Sequence, residues 1–259
     1  MTNIVKDIKE ERLKLSFITL QGFKSINQEG QEISFGDITV LLGANGSGKS
    51  NLLSFFSMVE AMLKGSLQSY VAQNGFANTI LHYGAKQTPK AAGEIYFSNL
   101  KDGFFYGFIL SHTIDNTLLL QQEVVQRLKN EKPFSHFISP TYANNKESFL
   151  KTRFADMYAN NENYKRIYWN GKQLTEVMSD LFRQCQIFQF HDTSKTSKIR
   201  SQIYVEDNHY LHNDGGNLAA FLYEMKINNE KYYKRIVRYI KQVMPQFGNF
   251  DLQPSKLNK

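Results

Sequence analysis

The residues with the clearest chemistry are Gly43-Ala44-Asn45-Gly46-Ser47-Gly48-Lys49-Ser50, a match to G-x-x-x-x-G-K-[ST]. Each residue type answers a physical need. A loop that wraps a phosphate turns its backbone N–H groups inward, and glycine permits both the dihedrals and the close approach. A helix that starts at the end of the loop adds the positive end of its dipole. In such a cradle Lys49 neutralises β- and γ-phosphate oxygens, and the Ser50 hydroxyl ligates Mg²⁺. The chemistry implied is binding of ATP with Mg²⁺. The bland reading of the same string is a glycine-rich strand-to-helix turn without a ligand.

The motif needs a strand before it and a helix after it, and the flanking sequence matches both needs. Asp37–Leu42 contains the run ITVLL, continuously apolar and β-branched at its start, which predicts a strand buried on both faces. Asn51–Lys64 has helical spacing, with Leu52, Leu53, Phe56, Val59, Met62 and Leu63 on one stripe and Gly65 as its stop. Upstream, Leu13–Phe23 and Ile33–Phe35 read as strands around a polar turn at Ser25–Gly30, after a charged arm at residues 1–12. Downstream, Gly93–Ser98, Phe104–Ser111 and Leu118–Leu128 predict an antiparallel meander turning at Asn99–Gly103 and Asp115–Asn116. Residues 133–163 are polar and irregular, with a short helix expected at Lys146–Met157. Helices are expected at Leu174–Arg183, Asn217–Lys226 and Glu230–Val243, a strand at Ile187–Phe190, and a long polar loop at His191–Gly216.

Other residues carry weaker signals. Lys231, Lys234, Arg235, Arg238 and Lys241 recur at helical spacing, either as a nucleic-acid-facing stripe or as the solvated side of an amphipathic helix. Lys195, Lys198 and Arg200 form a second basic cluster, with a plain surface loop as the alternative. Tyr164-Lys165-Arg166-Ile167-Tyr168-Trp169 could stack on bases or pack in a core. His209 and His212, with Asp207 and Asp214, have donor types for a metal, but no helix is expected there to present them. Cys185, flanked by apolar residues, reads as a small buried hydrophobe. Nothing suggests a Ser-His-Asp arrangement or a nuclease site.

Composition bounds these readings. With 259 residues, 41% of them hydrophobic and 21% charged, a folded core is expected. One cysteine excludes a disulfide framework. No apolar run predicts a membrane span or a signal peptide, so a cytoplasmic protein without membrane contact is expected. Lys plus Arg is 31 against 24 Asp plus Glu, a net charge of +7, which is compatible with a polyanionic partner.

The order of Ile18-Thr19-Leu20-Gln21-Gly22-Phe23-Lys24-Ser25, a turn, a strand and then Gly43-Ala44-Asn45-Gly46-Ser47-Gly48-Lys49-Ser50-Asn51-Leu52 resembles the head domain of ABC ATPases of the RecF and structural-maintenance-of-chromosomes (SMC) type, in its N-terminal part. Gly46, Asn45 and Asn51 fit that family's form of the loop. Ile187–Ser194 and the segment from Leu211 to Leu222, with Asn217-Leu218-Ala219-Ala220, are similar to bacterial RecF-like predicted ATPases, often found in antiviral or mobile-element systems. The resemblance covers most of the chain, with residues 65–185 matching only in general layout. It implies an α/β P-loop NTPase fold, an ABC/SMC-head-like lobe at 1–190 with a β-rich antiparallel meander and an inserted helical segment near 140–185. Residues 191–259 would be a loop and helical subdomain leading to a missing C-terminal half. It also implies two heads sandwiching ATP, as a homodimer, a higher oligomer or with a second chain completing the site, and DNA or another nucleic acid as a partner in DNA maintenance, repair or anti-phage defence. By the same resemblance Lys24 lies near the phosphates, and Gln189 holds Mg²⁺ and the attacking water, with His191 as an alternative.

The family's later elements are not found here: a serine–glycine signature, an apolar run ending in Asp-Glu, a D-loop and a switch histidine. Tyr204-Val205-Glu206-Asp207 lacks the apolar run and reverses the acidic order. The expectation is therefore ATP binding, with hydrolysis dependent on a completing partner. The alternative is a non-hydrolysing regulatory or interaction subunit that uses ATP as a structural ligand. A kinase-like phosphotransferase is disfavoured by the meander and by the lack of an acceptor site.

Overall fold

The computed structural model describes residues 13–99, 102–129, 132–138, 145–148, 168–169, 172–173, 177–178, 180–182, 185–188, 190, 194 and 196–254. The chain divides into two compact units, Met1–Cys185 and Gln186–Lys259.

In the first unit, β1 (Lys14–Gln21) and β2 (Gln31–Ser34) form a hairpin around the polar turn. The helices α1 (Lys49–Lys64), α2 (Leu67–Gln73) and α3 (Phe76–Ile80) follow, then β3 (Lys90–Ser98), β4 (Asp102–His112), β5 (Leu118–Lys129) and β6 (Lys132–Ile138). All pairings are antiparallel, in the order β2-β1-β3-β4-β5-β6. A separate two-residue pair joins β7 (Tyr168–Trp169) to β8 (Lys172–Gln173). The product is a mixed α/β unit built on an antiparallel sheet.

The pleat sends alternate residues to the helical side. Ile18 and Leu20 of β1, Ile95 and Phe97 of β3, Phe104, Tyr106, Phe108 and Leu110 of β4, and Leu118, Leu120 and Val125 of β5 are buried. Against them α1 lays Leu52, Phe55, Met58, Val59 and Met62. The helix is thus turned from the expected stripe: Phe55 and Met58 take the core positions, while Leu53, Phe56 and Leu63 are half-buried. Phe55 is the pivot. Its ring lies 6.0 Å from Phe108 and 6.0 Å from Phe23. Gly93, directly opposite Phe108 in the ladder, makes the room for it. Gly65 closes α1 in the left-handed conformation, as its type predicts. Val177, Met178, Leu181 and Phe182, four of the described helical residues of the expected 174–183 helix, join the same core. Cys185 packs at its edge, and burial pushes its thiol up to about 11.

One core position carries a charge-bearing side chain. Glu123 of β5 is fully buried and accepts hydrogen bonds from the Tyr106 hydroxyl (2.7 Å) and the Ser148 hydroxyl (2.7 Å). Burial and the neighbouring carboxylate push the Tyr106 phenol well above its ordinary range. Glu147, one residue from Ser148, accepts from the N–H groups of Leu67 (2.7 Å) and Gln68 (3.1 Å), so a distant carboxylate caps α2.

The second unit holds a 3-10 turn at Lys198–Arg200, α4 (Leu218–Asn228) and α5 (Glu230–Val243). Asn217 explains the segment before α4. Its buried side chain accepts from the His212 N–H (2.8 Å) and donates to the carbonyls of Asp207 (3.0 Å) and Tyr210 (2.7 Å), stapling the loop to the helix start. The N–H of Gly216 and the Lys198 ammonium, in that order, hold the Asp214 carboxyl below its ordinary range.

Four expectations need correction. Asp37–Leu42 is not a strand: Ile38 is 87%, Val40 71% and Leu42 89% exposed. A strand buried on both faces needs ladder partners on both edges and a layer on each side, and none of the described residues supplies them. Residues 187, 188 and 190 form no strand for the same reason, and Phe188 and Phe190 are partly exposed against each other. The start of the helix expected at 146–157 is not helical: Asn145 bridges Leu120, and residues 146–148 follow as bend and coil. The start of the 133–163 stretch read as irregular falls in β6 (Lys132–Ile138), because β5 offers it an edge. Among the described residues no helix is long and apolar enough to cross a membrane.

Candidate functional site

The segment that precedes α1 is a glycine turn. Gly46 (φ +84°) and Gly48 (φ +93°) are both left-handed, a conformation that side chains with a Cβ resist. At Gly46 a Cβ would meet no atom within 4 Å, so the backbone dihedral alone requires glycine there. At Gly48 it would also press to 3.0 Å from the Ser25 hydroxyl. Gly48 is the N-cap of α1, and it brings no capping side chain; no acidic residue lies in the first turn. The positive end of the α1 dipole thus has no capping side chain and no carboxylate in its first turn, an arrangement that suits an anion.

Lys49 sits inside this turn. Its ammonium donates to the carbonyls of Gly43 (2.7 Å) and Ala44 (2.7 Å) and to the Ser47 hydroxyl (3.2 Å). The Ser47 N–H closes the turn on the Ala44 carbonyl at 3.2 Å. A cation held by carbonyl dipoles can exchange them for phosphate oxygens without leaving the loop. Ala44, Asn45, Gly46 and Ser50 are exposed, so this part of the turn is open to solvent.

The Gly22–Ser25 segment is fastened to the same place. The Asn51 side-chain amide donates to the Ser25 hydroxyl at 2.7 Å, linking the first turn of α1 to β1's exit. Lys24 adopts φ +50°, held by its N–H on the Ile80 carbonyl (2.8 Å) and by the His82 Nδ1–H on its own carbonyl (2.7 Å). Its ammonium donates to the Ser54 hydroxyl at 2.9 Å, and partial burial lowers its pKa. Such a backbone outlier marks a place where surrounding contacts impose a conformation.

These side chains border a cavity of about 760 Å³, whose lining includes Lys24, Ser25, Asn51, Asn78, Tyr83 and Lys86. Asn51, at the start of α1, lines one part of the cavity and Tyr83 another. Tyr83, left-handed at φ +52° and 79% exposed, stands beside the His82 ring at 4.4 Å. Asn78 accepts the Ala85 N–H at 2.9 Å and so fixes the Gly84 turn. Asn78, Tyr83 and Lys86 escape a sequence reading because no motif marks them; the Tyr83-Gly84 turn is their only signal.

Of the expected site residues, the structure brings Lys24, Gly48, Lys49, Ser50 and Asn51 together, with Gly43 to Ser47 as the loop. Gln189 and His191, like Lys195 and residues 164–167, lie outside the described residues. His212 Nε2 lies 3.2 Å from an Asp207 oxygen, while Asp214 turns to Lys198. Among the described residues no group of three or more His, Cys, Asp or Glu side chains could hold a metal ion. The glycine cradle, its uncapped helix and its lysine fit a polyphosphate. The hydroxyl that the motif's spacing assigns to Mg²⁺ is that of Ser50; the Ser47 hydroxyl accepts from Lys49.

No protein-family model and no curated protein matches this chain. Solved structures similar to parts of it include three that carry SMC heads or ATPases in their titles. One, from work titled "Structural biochemistry of ATP-driven dimerization and DNA stimulated activation of SMC ATPases", is 21% identical at a TM-score of 0.29, covering 47% of this chain and 72% of that one. An SmcHead bound to the C-winged helix domain of ScpA is 21% identical at a TM-score of 0.29, over 47% of this chain and 36% of that one. The Smc head domain with a coiled coil and joint from Pyrococcus yayanosii is 13% identical at a TM-score of 0.31, over 90% of this chain and 37% of that one. With TM-scores this low, the reading of the site rests on its own geometry.

Proposed function

We propose that this chain binds ATP with Mg²⁺ at residues 43–51, as the nucleotide-binding part of an ABC-type ATPase head of the RecF and SMC kind. The observation that carries the reading is the left-handed Gly46–Gly48 turn feeding an uncapped helix, with the Lys49 ammonium held inside it. The loop takes the β- and γ-phosphates, Ser50 ligates Mg²⁺, and Lys24 approaches the phosphates from the cavity. The aromatic end of the cavity, at Tyr83 and Asn78, takes the base. Bound Mg²⁺ supplies charge neutralisation between phosphate oxygens. The exposed run Ile38–Leu42 supports association: its apolar side chains and its backbone call for strands from another protein segment, in a dimer or from a second chain. Coupling to DNA maintenance or anti-phage defence belongs to the same reading.

Isothermal calorimetry tests it. Wild type takes up Mg·ATP and Lys49→Ala does not; equal affinities reject the site. Tyr83→Ala weakens ATP but leaves inorganic tripolyphosphate unchanged, and an equal loss for both ligands removes the base from that end.

A second reading keeps the ligand and drops the hydrolysis. The described residues that line the cavity include Lys24 and Lys86 and no carboxylate, so among them this wall offers no carboxylate base for water. The chain would then use ATP as a structural ligand. Phosphate release by the purified chain alone, abolished in Lys49→Ala, eliminates this reading.

A further inference from the structure

We propose that the second unit carries a binding face for single-stranded nucleic acid, made by the outer side of α5 and the pocket at its start. This inference does not depend on the phosphate loop.

Tyr233 anchors α5: its ring is buried and its hydroxyl donates to Asn249 at 2.5 Å. Ile236, Val237 and Ile240 flank it, half-buried, and they leave the opposite side to solvent. That side bears Lys231, Lys234, Arg235, Arg238 and Lys241, all exposed, against the single carboxylate of Glu230, a net charge of +4 over the helix. Glu230 pairs with Lys234 at 2.8 Å. Lys231, Arg235, Arg238 and Lys241 have no acidic partner among the described residues. Four unneutralised cations on one helix face match a phosphate backbone.

Charge alone does not choose between polyanions; the aromatics do. Tyr232 and Tyr239 are each about half exposed on this same basic side. They stand two turns apart, about 10.5 Å along the axis. Each lies under an arginine: Arg235 is 5.5 Å from the Tyr232 ring centre and Arg238 is 5.3 Å from that of Tyr239. Arginine-backed rings facing water are platforms on which bases stack, beside cations that track the strand. Tyr232 also forms one wall of a pocket of about 280 Å³, in which Phe221 and Met225 give apolar surface and Asn208, His209 and Glu224 give polar edges. A half-exposed ring backed by an arginine and a pocket of this mixed lining suit an unpaired base. A duplex has its bases stacked inside and presents only edges and phosphates.

The test uses the full chain, without nucleotide, and a fluorescein-labelled oligo(dT) of about 20 nucleotides, longer than the roughly 4–16 nucleotides that one module covers. Anisotropy is followed across a KCl series, with the oligo(dT)·oligo(dA) duplex and phosphatidylserine vesicles as competing ligands. Wild type binds the single strand, more tightly than the duplex, with a log–log salt slope near −3 for about four phosphates at about −0.7 each. Arg235→Glu/Arg238→Glu weakens binding tenfold or more and flattens the slope. Tyr232→Ala/Tyr239→Ala also weakens it tenfold or more, but leaves the slope unchanged. Both pairs are exposed, and an unchanged circular dichroism melt shows that each variant is folded; a variant that melts early is replaced by Tyr232→Leu/Tyr239→Leu or Arg235→Gln/Arg238→Gln. No binding to oligo(dT), equal or tighter binding to the duplex or the vesicles, or tyrosine variants that bind as wild type would each overturn the proposal.

Discussion

Gly93→Ala tests the packing that sets α1, and with it the glycine turn at 43–50, against the sheet. In an open strand this substitution stabilises, because glycine there costs about 0.5–1 kcal/mol relative to alanine. Gly93 is not open. A Cβ would lie 2.6 Å from Phe108 Cζ, 2.7 Å from Phe55 Cε2 and 2.9 Å from Phe108 Cε1, distances that real contacts essentially never reach. Both rings belong to the core, and Phe55 is also held by Phe23 and Phe56. Neither ring can swing away without moving α1. Overpacking of this kind costs about 1–3 kcal/mol, so after the strand gain the net loss is about 0.5–2 kcal/mol. With a urea m-value near 2 kcal/mol/M, the midpoint falls by roughly 0.3–1 M. Phe55→Leu shortens the ring that is struck, so the double variant loses less than the sum of the two singles, with a coupling of about 0.5 kcal/mol or more. Urea titration by far-ultraviolet circular dichroism measures all four proteins. A Gly93→Ala variant as stable as wild type, or strictly additive losses, refutes the close approach of α1 to β3.

Two more outcomes follow from buried polar groups. Glu123→Ala strands the hydroxyls of Tyr106 and Ser148 in the core and is expected to cost about 2–4 kcal/mol, whereas Glu123→Gln keeps an acceptor and costs about half as much or less; equal losses in urea unfolding would show that the network contributes nothing. Burial lowers the Lys24 pKa, so the unfolded chain holds more protons than the folded one between that lowered value and 10.5. Wild type therefore gains stability on Lys24→Met as pH rises through that window, and a difference that stays flat or shrinks in urea titrations across it contradicts the burial of this ammonium.

How much was legible in the sequence follows from how local each signal is. The meander, α1 with its Gly65 stop, α4 and α5 are written in short-range periodicity and in turn residues, and the structure has them where those signals lie. The glycine turn at 43–50 was legible because its glycine positions, lysine and serine follow the spacing that a phosphate cradle requires, and Gly46 and Gly48 are left-handed as that spacing expects. The run Ile38–Leu42 was misread because its apolarity reports a burial that the described residues do not supply. β6 was missed because its pairing with β5 is a neighbour's property rather than its own composition. Asn78, Tyr83 and Lys86 share a cavity with Lys24 only through the stitching of the 22–25 and 78–86 segments, of which His82 on the Lys24 carbonyl is one bond. Glu147 capping α2 from 80 residues away belongs to the same class. The basic and aromatic residues of α5 were visible, but only the structure separates the anchored Tyr233 from the exposed Tyr232 and Tyr239.

The most direct measurement of the central claim is a structure determined from protein saturated with Mg²⁺ and a slowly hydrolysed ATP analogue. The account predicts a triphosphate against the 43–50 turn, the Lys49 ammonium transferred from the Gly43 and Ala44 carbonyls to phosphate oxygens, the metal on the Ser50 hydroxyl and the base beside Tyr83. A loop that remains without nucleotide, with Lys49 still closed on its own carbonyls, contradicts it.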